Sequence, residues 1–252
     1  MRIAILTGAS AGLGQAFFKE LQVYQGKFDE IWLIARRRER MEEMAKNSAI
    51  PVKVLPLDLV DTDCIAAYVE TLKAEKPDVR LLINNAGYGK LGNVDALSAD
   101  DQAGMIDLNV RALTEMTVLT LPYMQKGAEI INICSIASFV PNTRLTVYSS
   151  TKAYVMSFTK GLREELKPRG INALAVCPGP MSTEFLPVAG IADGASKTFD
   201  TLPYDKPEKV ARGALKNSAK RHAVYTPHPF FKMYRVMGKL FPHNLMMKLS
   251  KA

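Results

Sequence analysis

The stretch that decides the fold is Thr7-Gly8-Ala9-Ser10-Ala11-Gly12-Leu13-Gly14, which follows an apolar run at residues 2–6. Glycines permit a tight turn and a close approach of the backbone to a ligand. Where such a turn joins a buried strand to a helix, a pyrophosphate can bind the unpaired N–H groups and the positive dipole end of the helix. We therefore predict a strand–turn–helix unit that binds a dinucleotide. The alternative is a glycine turn that only joins the strand to the helix.

Outward from this unit, short aliphatic runs alternate with amphipathic stretches of helical length. This alternation is typical of a parallel sheet covered by helices on both faces. We predict an α/β fold with one doubly wound, mainly parallel, seven-stranded sheet in a single domain over 1–252. Strands are expected at 2–6, 30–35, 52–57, 79–84, 128–134, 171–177 and 222–226, and helices at 12–25, 37–47, 61–76, 100–126, 148–168 and 206–219.

The net charge of +8 is concentrated at the carboxyl end of the chain. Residues 206–252 contain 11 of the 33 Lys and Arg residues and one acidic residue, Glu208. An anionic partner is therefore expected to meet the protein there. A nucleic-acid binder would also carry interleaved stacking aromatics and a recognisable motif, and because the sequence has neither we expect no nucleic-acid partner.

The cysteines and the apolar runs indicate a cytoplasmic protein. The run at 2–6 is too short for a signal peptide, and no apolar stretch approaches the roughly 18 to 20 residues that span a bilayer. Cys64, Cys134 and Cys177 are an odd, scattered set without metal-ligand spacing. We expect a reduced protein with no disulfide and no metal site.

The second predicted strand ends in Ile34-Ala35-Arg36-Arg37, where an acidic side chain would bind the ribose 2′-hydroxyl of NAD. Instead, Ala35 leaves room and Arg36 supplies a guanidinium suited to a 2′-phosphate. This pattern predicts NADP(H) as the cofactor, with Arg37 beside it. The alternative is a solvated helix start, which we expect for Arg38 and Arg40 with local partners Glu39, Glu42 and Glu43.

Ser135, Tyr148 and Lys152 are the strongest candidates for chemistry. Tyr148 and Lys152 are four residues apart on a predicted helix and share one face. Tyrosine has an unperturbed pKa of about 10, and a nearby ammonium favours its phenolate. Ser135, at the end of the fifth strand, is placed to hydrogen-bond a substrate oxygen. Taken singly, each has an ordinary alternative, a helix surface pair or a turn serine.

Taken together, these residues resemble the classical short-chain dehydrogenase/reductase family. The Ser-to-Tyr separation of 13 and the Tyr-to-Lys separation of 4 match its catalytic spacing. The turn at 7–14 is similar to its T-G-x-x-x-G-x-G turn, with Leu13 where isoleucine is common. Further matches follow in chain order: Asp58-Leu59, Asn84-Asn85-Ala86-Gly87, Asn109-Val110 and Pro178-Gly179-Pro180-Met181-Ser182-Thr183.

The resemblance implies a Rossmann-type fold and an NADP(H)-dependent oxidoreductase that interconverts a ketone or aldehyde and an alcohol. Tyr148 would be the general acid/base, Ser135 would stabilise the substrate oxygen, and Lys152 would lower the pKa of Tyr148 and bind the ribose. Asn109 would complete the catalytic set by fixing a water that links Lys152 to solvent, or would bond the backbone of a kinked helix. The cofactor residues are then Gly8, Ser10, Gly12, Leu13, Gly14, Arg36, Arg37, Asp58, Leu59, Asn85, Ala86, Gly87, Tyr148, Lys152, Pro178, Gly179, Met181 and Thr183.

The partner is expected to be a small-molecule carbonyl or alcohol substrate, such as a bulky apolar hydroxysteroid or ketosteroid or a 3-oxoacyl compound. The resemblance also implies a homodimer or homotetramer that pairs through the helices at 100–126 and 148–168. The alternative function is a non-catalytic NADP(H)-sensing regulatory protein, which would need the glycine turn but no proton relay.

Two further segments are set apart by composition. Residues 178–205 are irregular, punctuated by Pro and Gly, and predicted to form a substrate loop. Residues 228–252 form a basic amphipathic segment in which Phe230, Met233, Met237 and Leu240 line one helical stripe, with Lys232, Arg235 and Lys239 away from its centre. We expect this stripe to be buried, on the core or a neighbouring subunit in the favoured interpretation, or as a wall over the substrate site. Attachment to an anionic membrane surface is the least favoured interpretation.

Overall fold

The computed structural model describes residues 1–191 and 197–249. Seven parallel strands form one sheet in the order β3-β2-β1-β4-β5-β6-β7. They are β1 (Arg2–Thr7), β2 (Glu30–Ile34), β3 (Val52–Leu55), β4 (Asp78–Asn84), β5 (Glu129–Ile133), β6 (Asn172–Val176) and β7 (Val224–Tyr225). The predicted sheet is confirmed. Its strand order reverses between β1 and β4, the position where open α/β sheets bind ligands.

Helices cover both faces of the sheet. They are α1 (Gly12–Leu21), α2 (Arg38–Lys46), α3 (Thr62–Glu75), α4 (Ala99–Ile106), α5 (Leu113–Thr120), α6 (Thr146–Leu166), α7 (Phe185–Val188), α8 (Lys197–Thr201), α9 (Pro207–Ala219), α10 (Pro229–Leu240) and α11 (His243–Leu249). Because strand side chains alternate, Leu6 packs in the cluster with α1, α2 and α9, whereas Ile5 packs in the cluster with α3, α5 and α6. Within the described residues, no helix is long and apolar enough to cross a membrane.

The predicted continuous helix at 100–126 is wrong in its middle and at its end. A π-helical turn, Asp107–Ala112, separates α4 from α5, and a short 3-10 turn closes the segment at Leu121–Tyr123. The π turn carries Asn109, whose side chain is fully buried. A period of 3.6 residues cannot reveal such an insertion, and π turns occur frequently at functional sites.

The predicted burial of the carboxy-terminal stripe is wrong for the chain's own core, while its burial on a neighbouring subunit stays a prediction. Phe230, Met233 and Leu240 are exposed and Met237 is half-buried. The buried face of α10 is shifted by one residue and contains Phe231 and Gly238. Phe231 packs over Gly179, where a Cβ would lie 2.1 Å from its ring, and Gly238 brings the helix backbone against Val140 and Phe139. Because glycine has no apolar side chain, the hydrophobic pattern of the sequence could not indicate that Gly238 is on the buried face.

The glycine turn after β1 is packed too closely to accept side chains. Gly8 has a φ of +63°, and a Cβ there would lie 2.8 Å from the Cα of Ala86, the second residue after β4. A Cβ on Gly14 would lie 2.1 Å from the carbonyl oxygen of Gly8. The turn, the start of α1 and the end of β4 therefore form one tight contact.

We predict opposite effects for two helical glycine-to-alanine changes. Gly14→Ala forces the turn away from α1 and should lower the free energy of unfolding by about 1–3 kcal/mol. Gly161→Ala, on α6 where a Cβ meets nothing within 4 Å, should raise it by about 0.5–1 kcal/mol. Urea unfolding measures both, and a Gly14→Ala protein as stable as the native one would contradict the close contact.

Candidate active site

A cleft of about 770 Å³ opens at the carboxyl ends of the strands, where the turns after β1, β4, β5 and β6 meet. Of the residues predicted for the site, only Gly14 and Asn109 do not line it. Gly14 lies beneath the glycine turn, and Asn109 lies behind Gly87. The cleft lining includes Gly8, Ser10, Gly12, Leu13, Arg36, Arg37, Asp58, Leu59, Asn85, Ala86, Gly87, Ser135, Tyr148, Lys152, Pro178, Gly179, Met181 and Thr183.

The start of α1 offers an anion its unpaired backbone donors. Ala11, which precedes the helix, makes no side-chain cap. The first N–H groups of the helix therefore face the cleft without a side-chain acceptor, beside the positive end of the helix dipole. This arrangement suits a phosphate or pyrophosphate.

Arg36, Arg37, Arg38 and Arg40 follow β2 at the edge of the cleft, which we call the arginine rim. Their ion-pair partners differ in part from those predicted. Arg37 donates to the Ser10 hydroxyl at 3.2 Å and to the Glu184 carboxylate at 2.7 Å. The Arg36 side chain is 78% exposed, and its guanidinium nitrogen lies 3.9 Å from the Asp58 carboxylate oxygen. Arg38 pairs with Glu42 as predicted, but Arg40 bonds Glu184 across the rim. The local-partner expectation for Arg40 is therefore wrong, because a carboxylate distant in sequence reaches it.

The Asn85–Gly87 turn is tied to the glycine turn. The Thr7 hydroxyl accepts the backbone N–H groups of Asn85 and Ala86, both at 3.0 Å. The Asn85 amide in turn donates to the carbonyls of Thr7 and Gly8, both at 3.1 Å. The Asn85 side chain thus holds the two turns together beside the cleft.

Ser135, Tyr148 and Lys152 come together on the cleft wall. Ser135 follows β5 and caps a short 3-10 turn, with its hydroxyl accepting the Ala137 N–H at 3.1 Å. Tyr148 is the third residue of α6 and is hydrogen-bonded to the Ser135 side chain. The ammonium nitrogen of Lys152 lies 5.8 Å from the centre of the Tyr148 ring and donates to the Ile133 carbonyl at 2.9 Å.

Burial controls the protonation of Tyr148 and Lys152. It raises the pKa of Tyr148 to about 12, although the hydrogen bond from Ser135 acts in the opposite direction. It also lowers the pKa of Lys152 to about 8. The expected lowering of the Tyr148 pKa by Lys152 is not what this site shows. The reason is that desolvation opposes charge on both groups and so favours a protonated phenol.

Asn109 joins the π turn to the segment after β4. Its amide oxygen accepts the Tyr88 N–H at 3.0 Å, and its amide nitrogen donates to the Tyr88 carbonyl at 2.8 Å and to the Thr151 hydroxyl at 3.1 Å. Its partners are therefore outside its own helix, unlike the expected bond to a kinked helix backbone. A Cβ on Gly87 would lie 2.8 Å from the Asn109 oxygen and 3.4 Å from the Lys152 nitrogen. Asn109 fixes the backbone beside Lys152.

The other half of the cleft is apolar. The ring of Phe185, on α7, lies 5.7 Å from that of Tyr148. Phe230, Phe231 and Tyr234 of α10 form the facing wall. The helix α10 thus closes the cleft with aromatic side chains, while residues 192–196 of the predicted substrate loop lie outside the described part of the chain.

Sequence reasoning missed two acidic residues that fasten the segment after β6. The Asp205 carboxylate, which is buried, accepts the Gly179 N–H at 2.7 Å, and the Asp205 N–H donates to the Pro180 carbonyl at 2.8 Å. Glu184 bonds Arg37 and Arg40, as described above. Neither acid belongs to a motif. The proximity of Asp205 to Pro207, the first residue of α9, is the only local signal, and it indicates a helix start rather than a clamp.

The comparisons with known proteins agree with this geometry. A sequence model of the short chain dehydrogenase family matches residues 2–190. An NADP-dependent 3-hydroxy acid dehydrogenase of Schizosaccharomyces pombe is 35% identical over 232 residues, covering 87% of this chain and 88% of the relative. A short-chain dehydrogenase of Sphingobium yanoikuyae, solved with NADPH, superposes with a TM-score of 0.81 at 27% identity, covering 98% and 95% of the two chains.

A third similar protein is a bulky-bulky ketone specific alcohol dehydrogenase of Comamonas testosteroni, with a TM-score of 0.76 and 25% identity over 98% of this chain and 94% of the other. Because the family model covers well over half of the sequence, the chain belongs to the short-chain dehydrogenase family. The predicted family, the Rossmann-type fold and the class of oxidoreductase are thereby confirmed.

We predict that Asp205→Ala loosens the segment that begins at Gly179. The change leaves a buried N–H without its acceptor and should lower the free energy of unfolding by about 1–3 kcal/mol. The exposed Asp95 serves as a control, since Asp95→Ala should change the stability by less than about 0.5 kcal/mol. Chemical denaturation compares the two variants, and equal stabilities would show that Asp205 does not fasten the segment.

Proposed function

We propose that the protein is an NADP(H)-dependent oxidoreductase that interconverts a ketone or aldehyde and an alcohol by hydride transfer, with Tyr148 as the general acid/base. The observation that carries this proposal is the convergence of Ser135, Tyr148 and Lys152 in the same cleft as the glycine turn. A dinucleotide site alone would need only the turn. The three side chains add a proton donor, a hydroxyl partner for it and a cation.

The residues of the cleft fit an NADP(H) molecule. The turn from Gly8 to Gly14 and the uncapped start of α1 would hold the pyrophosphate. Arg36 and Arg37 would bind the 2′-phosphate next to Ala35, whose small side chain leaves the room. Asp58 and Leu59 would border the adenine, Asn85–Gly87 would lie beside the adenosine ribose, and Pro178, Gly179, Met181 and Thr183 would cover the nicotinamide. When bound, the nicotinamide exchanges a hydride with the substrate carbon.

In the reductive direction Tyr148 donates its proton to the oxygen that develops negative charge. The high pKa of Tyr148 keeps the phenol protonated at neutral pH. Ser135 binds the same oxygen, and its hydrogen bond to Tyr148 aligns the two hydroxyl groups. Lys152 orients the nicotinamide ribose and places positive charge beside Tyr148 when the phenolate forms. Asn109 holds the backbone beside Lys152 and fixes a water that relays protons to it.

The apolar half of the cleft favours a bulky apolar substrate. Phe185, Phe230 and Phe231 line it, and the polar side chains are grouped around Tyr148. Among similar proteins, one is specific for bulky-bulky ketones and another is a 3-hydroxy acid dehydrogenase. We accordingly propose a hydroxysteroid or ketosteroid, or a 3-oxoacyl compound, as the substrate class.

We also propose a homodimer or homotetramer in the cytoplasm. Exposed apolar side chains on α4, α5 and α6 support pairing through these helices, namely Ile106, Val118 and Tyr154. The three cysteines are free thiols, which persist in a reducing compartment.

Replacing the phenol tests the proton transfer. Tyr148→Phe keeps the ring packed against Phe185 but has no proton to donate, so turnover should fall at least about 100-fold while NADPH binding persists. Tyr154→Phe, on the same helix, should retain full turnover. Steady-state NADPH oxidation over a panel of ketones and fluorescence titration of NADPH measure the two quantities. Robust turnover by Tyr148→Phe would refute the mechanism, and NADPH binding with no turnover by the native protein on the whole panel would favour the sensing alternative.

Cofactor preference tests the arginine rim. A guanidinium–phosphate contact contributes roughly 1.5 to 3 kcal/mol, so NADPH should bind about 10- to 150-fold more tightly than NADH. Ala35→Asp should reverse the preference because its carboxylate repels the phosphate and accepts the 2′-hydroxyl. Arg36→Ala should weaken NADPH alone, whereas Arg38→Ala, whose partner is Glu42, should change neither cofactor. Equal affinities for both cofactors in the native protein would show that the rim does not bind the phosphate.

A further inference from the structure

The outer face of α10 is apolar even though its inner face is already packed. At 100° per residue, Met233, Val236 and Leu240 lie opposite Phe231 and Gly238. They are 56%, 51% and 73% exposed, and Phe241 and Leu245 continue the exposed apolar surface toward α11. Here we call these five side chains the outer apolar face. An exposed patch of large apolar side chains is typical of a surface that binds another protein or a membrane.

On the flank of α10, between Gly238 of its buried side and Lys239, lies a recess whose Lys and Arg side chains are Lys160, Arg235 and Lys239. Its volume is about 630 Å³, and within the described part of the chain no acidic side chain lines it. The recess is lined by Arg235 and Lys239 of α10, His243 of α11, Lys160 of α6 and His222. Burial, followed by the positive charges of Lys239 and Arg235, lowers the pKa of Lys160. Like charges that converge without a carboxylate are stabilised by an anion.

We propose that the outer apolar face and this cationic recess together dock the protein on an anionic phospholipid membrane. The apolar side chains enter the boundary between headgroups and acyl chains, and the recess holds a lipid phosphate. A cationic helix with an exposed apolar face is the composition of interfacial helices. Because α10 and α11 carry Lys232, Arg235, Lys239 and Lys248 and no acidic residue, these two helices are drawn to anionic lipid.

Self-association through this surface is the competing explanation, and charge disfavours it. A two-fold contact would place α10 of one copy against the same surface of the other. Lys232 and Lys239 lie along one edge of the outer apolar face, so the contact would place positive charges on both copies at its border. A membrane of anionic lipid instead offers acyl chains to the apolar side chains and phosphates to the cationic ones.

Vesicle flotation of the full chain, without cofactor or substrate, tests the proposal independently of any enzymatic activity. The native protein should float with vesicles of phosphatidylcholine and phosphatidylglycerol, but not with phosphatidylcholine alone, and high salt should weaken binding. Met233→Asn with Leu240→Asn, and separately Lys160→Gln with Lys239→Gln, should each lower vesicle affinity roughly tenfold or more. The control pair, Val23→Asn with Lys73→Gln, changes an exposed valine and an exposed lysine elsewhere and should bind as the native protein does.

Circular dichroism and melting curves establish that each variant is folded, as expected for changes at exposed or half-buried positions. Native affinity for anionic vesicles in either of the two substituted pairs would overturn the proposal. A native protein that does not float with anionic vesicles would overturn it as well. Two further measurements would then show what the surface does: ultracentrifugation would show whether the native protein forms a dimer that Met233→Asn with Leu240→Asn abolishes, and melting curves would show whether inorganic phosphate stabilises the protein through Lys160 and Lys239. The first result would assign the surface to a second copy, and the second would make the recess a site for a soluble phosphate.

Discussion

The contact between the glycine turn after β1 and the end of β4 holds together the two turns on which the site is built. Gly8 approaches Ala86 so closely that no side chain fits between them, and Thr7 and Asn85 bond the two turns across the switch point of the sheet. The same contact places Gly87 against Asn109 and Lys152. The glycine turn and Lys152 are thereby tied to one junction, and in the proposed mechanism this fixed geometry serves hydride and proton transfer.

Burial gives Tyr148 and Lys152 their chemical character. Desolvation raises the pKa of Tyr148 to about 12 and lowers that of Lys152 to about 8, so a firmly bound phenol proton lies next to a lysine that loses its proton more easily than usual. In our account this balance suits reduction, because the proton must be present before the hydride arrives. The apolar side chains of α7 and α10 line the same cleft as this pair.

Much of this arrangement could be predicted from the sequence. The runs that became β1 to β7 are contiguous and aliphatic, and the predicted lining residues are close to strand ends, which parallel topology gathers at one edge. The π turn around Asn109, the clamp by Asp205 and the Glu184 ion pairs could not be predicted. The Asp205 and Glu184 contacts join segments that are distant in sequence. The π turn is a local change in helical hydrogen bonding that the hydrophobic pattern did not indicate. The face of α10 was misjudged because its core contact uses Gly238, which carries no hydrophobic signal.

The pH dependence of both reaction directions with one ketone–alcohol pair tests the central claim most directly. Between about pH 6 and pH 10, kcat/KM reports the ionisations of the free enzyme. The account predicts that NADPH-dependent reduction declines above about pH 8, as Lys152 loses its proton while Tyr148 retains its own. It also predicts that NADP⁺-dependent oxidation rises up to about pH 8, as the phenolate fraction of Tyr148 grows, and levels off above it, where Lys152 loses the charge that stabilises the phenolate. Profiles that are flat, or that change in parallel in the two directions, would contradict a mechanism in which Tyr148 transfers the proton beside Lys152.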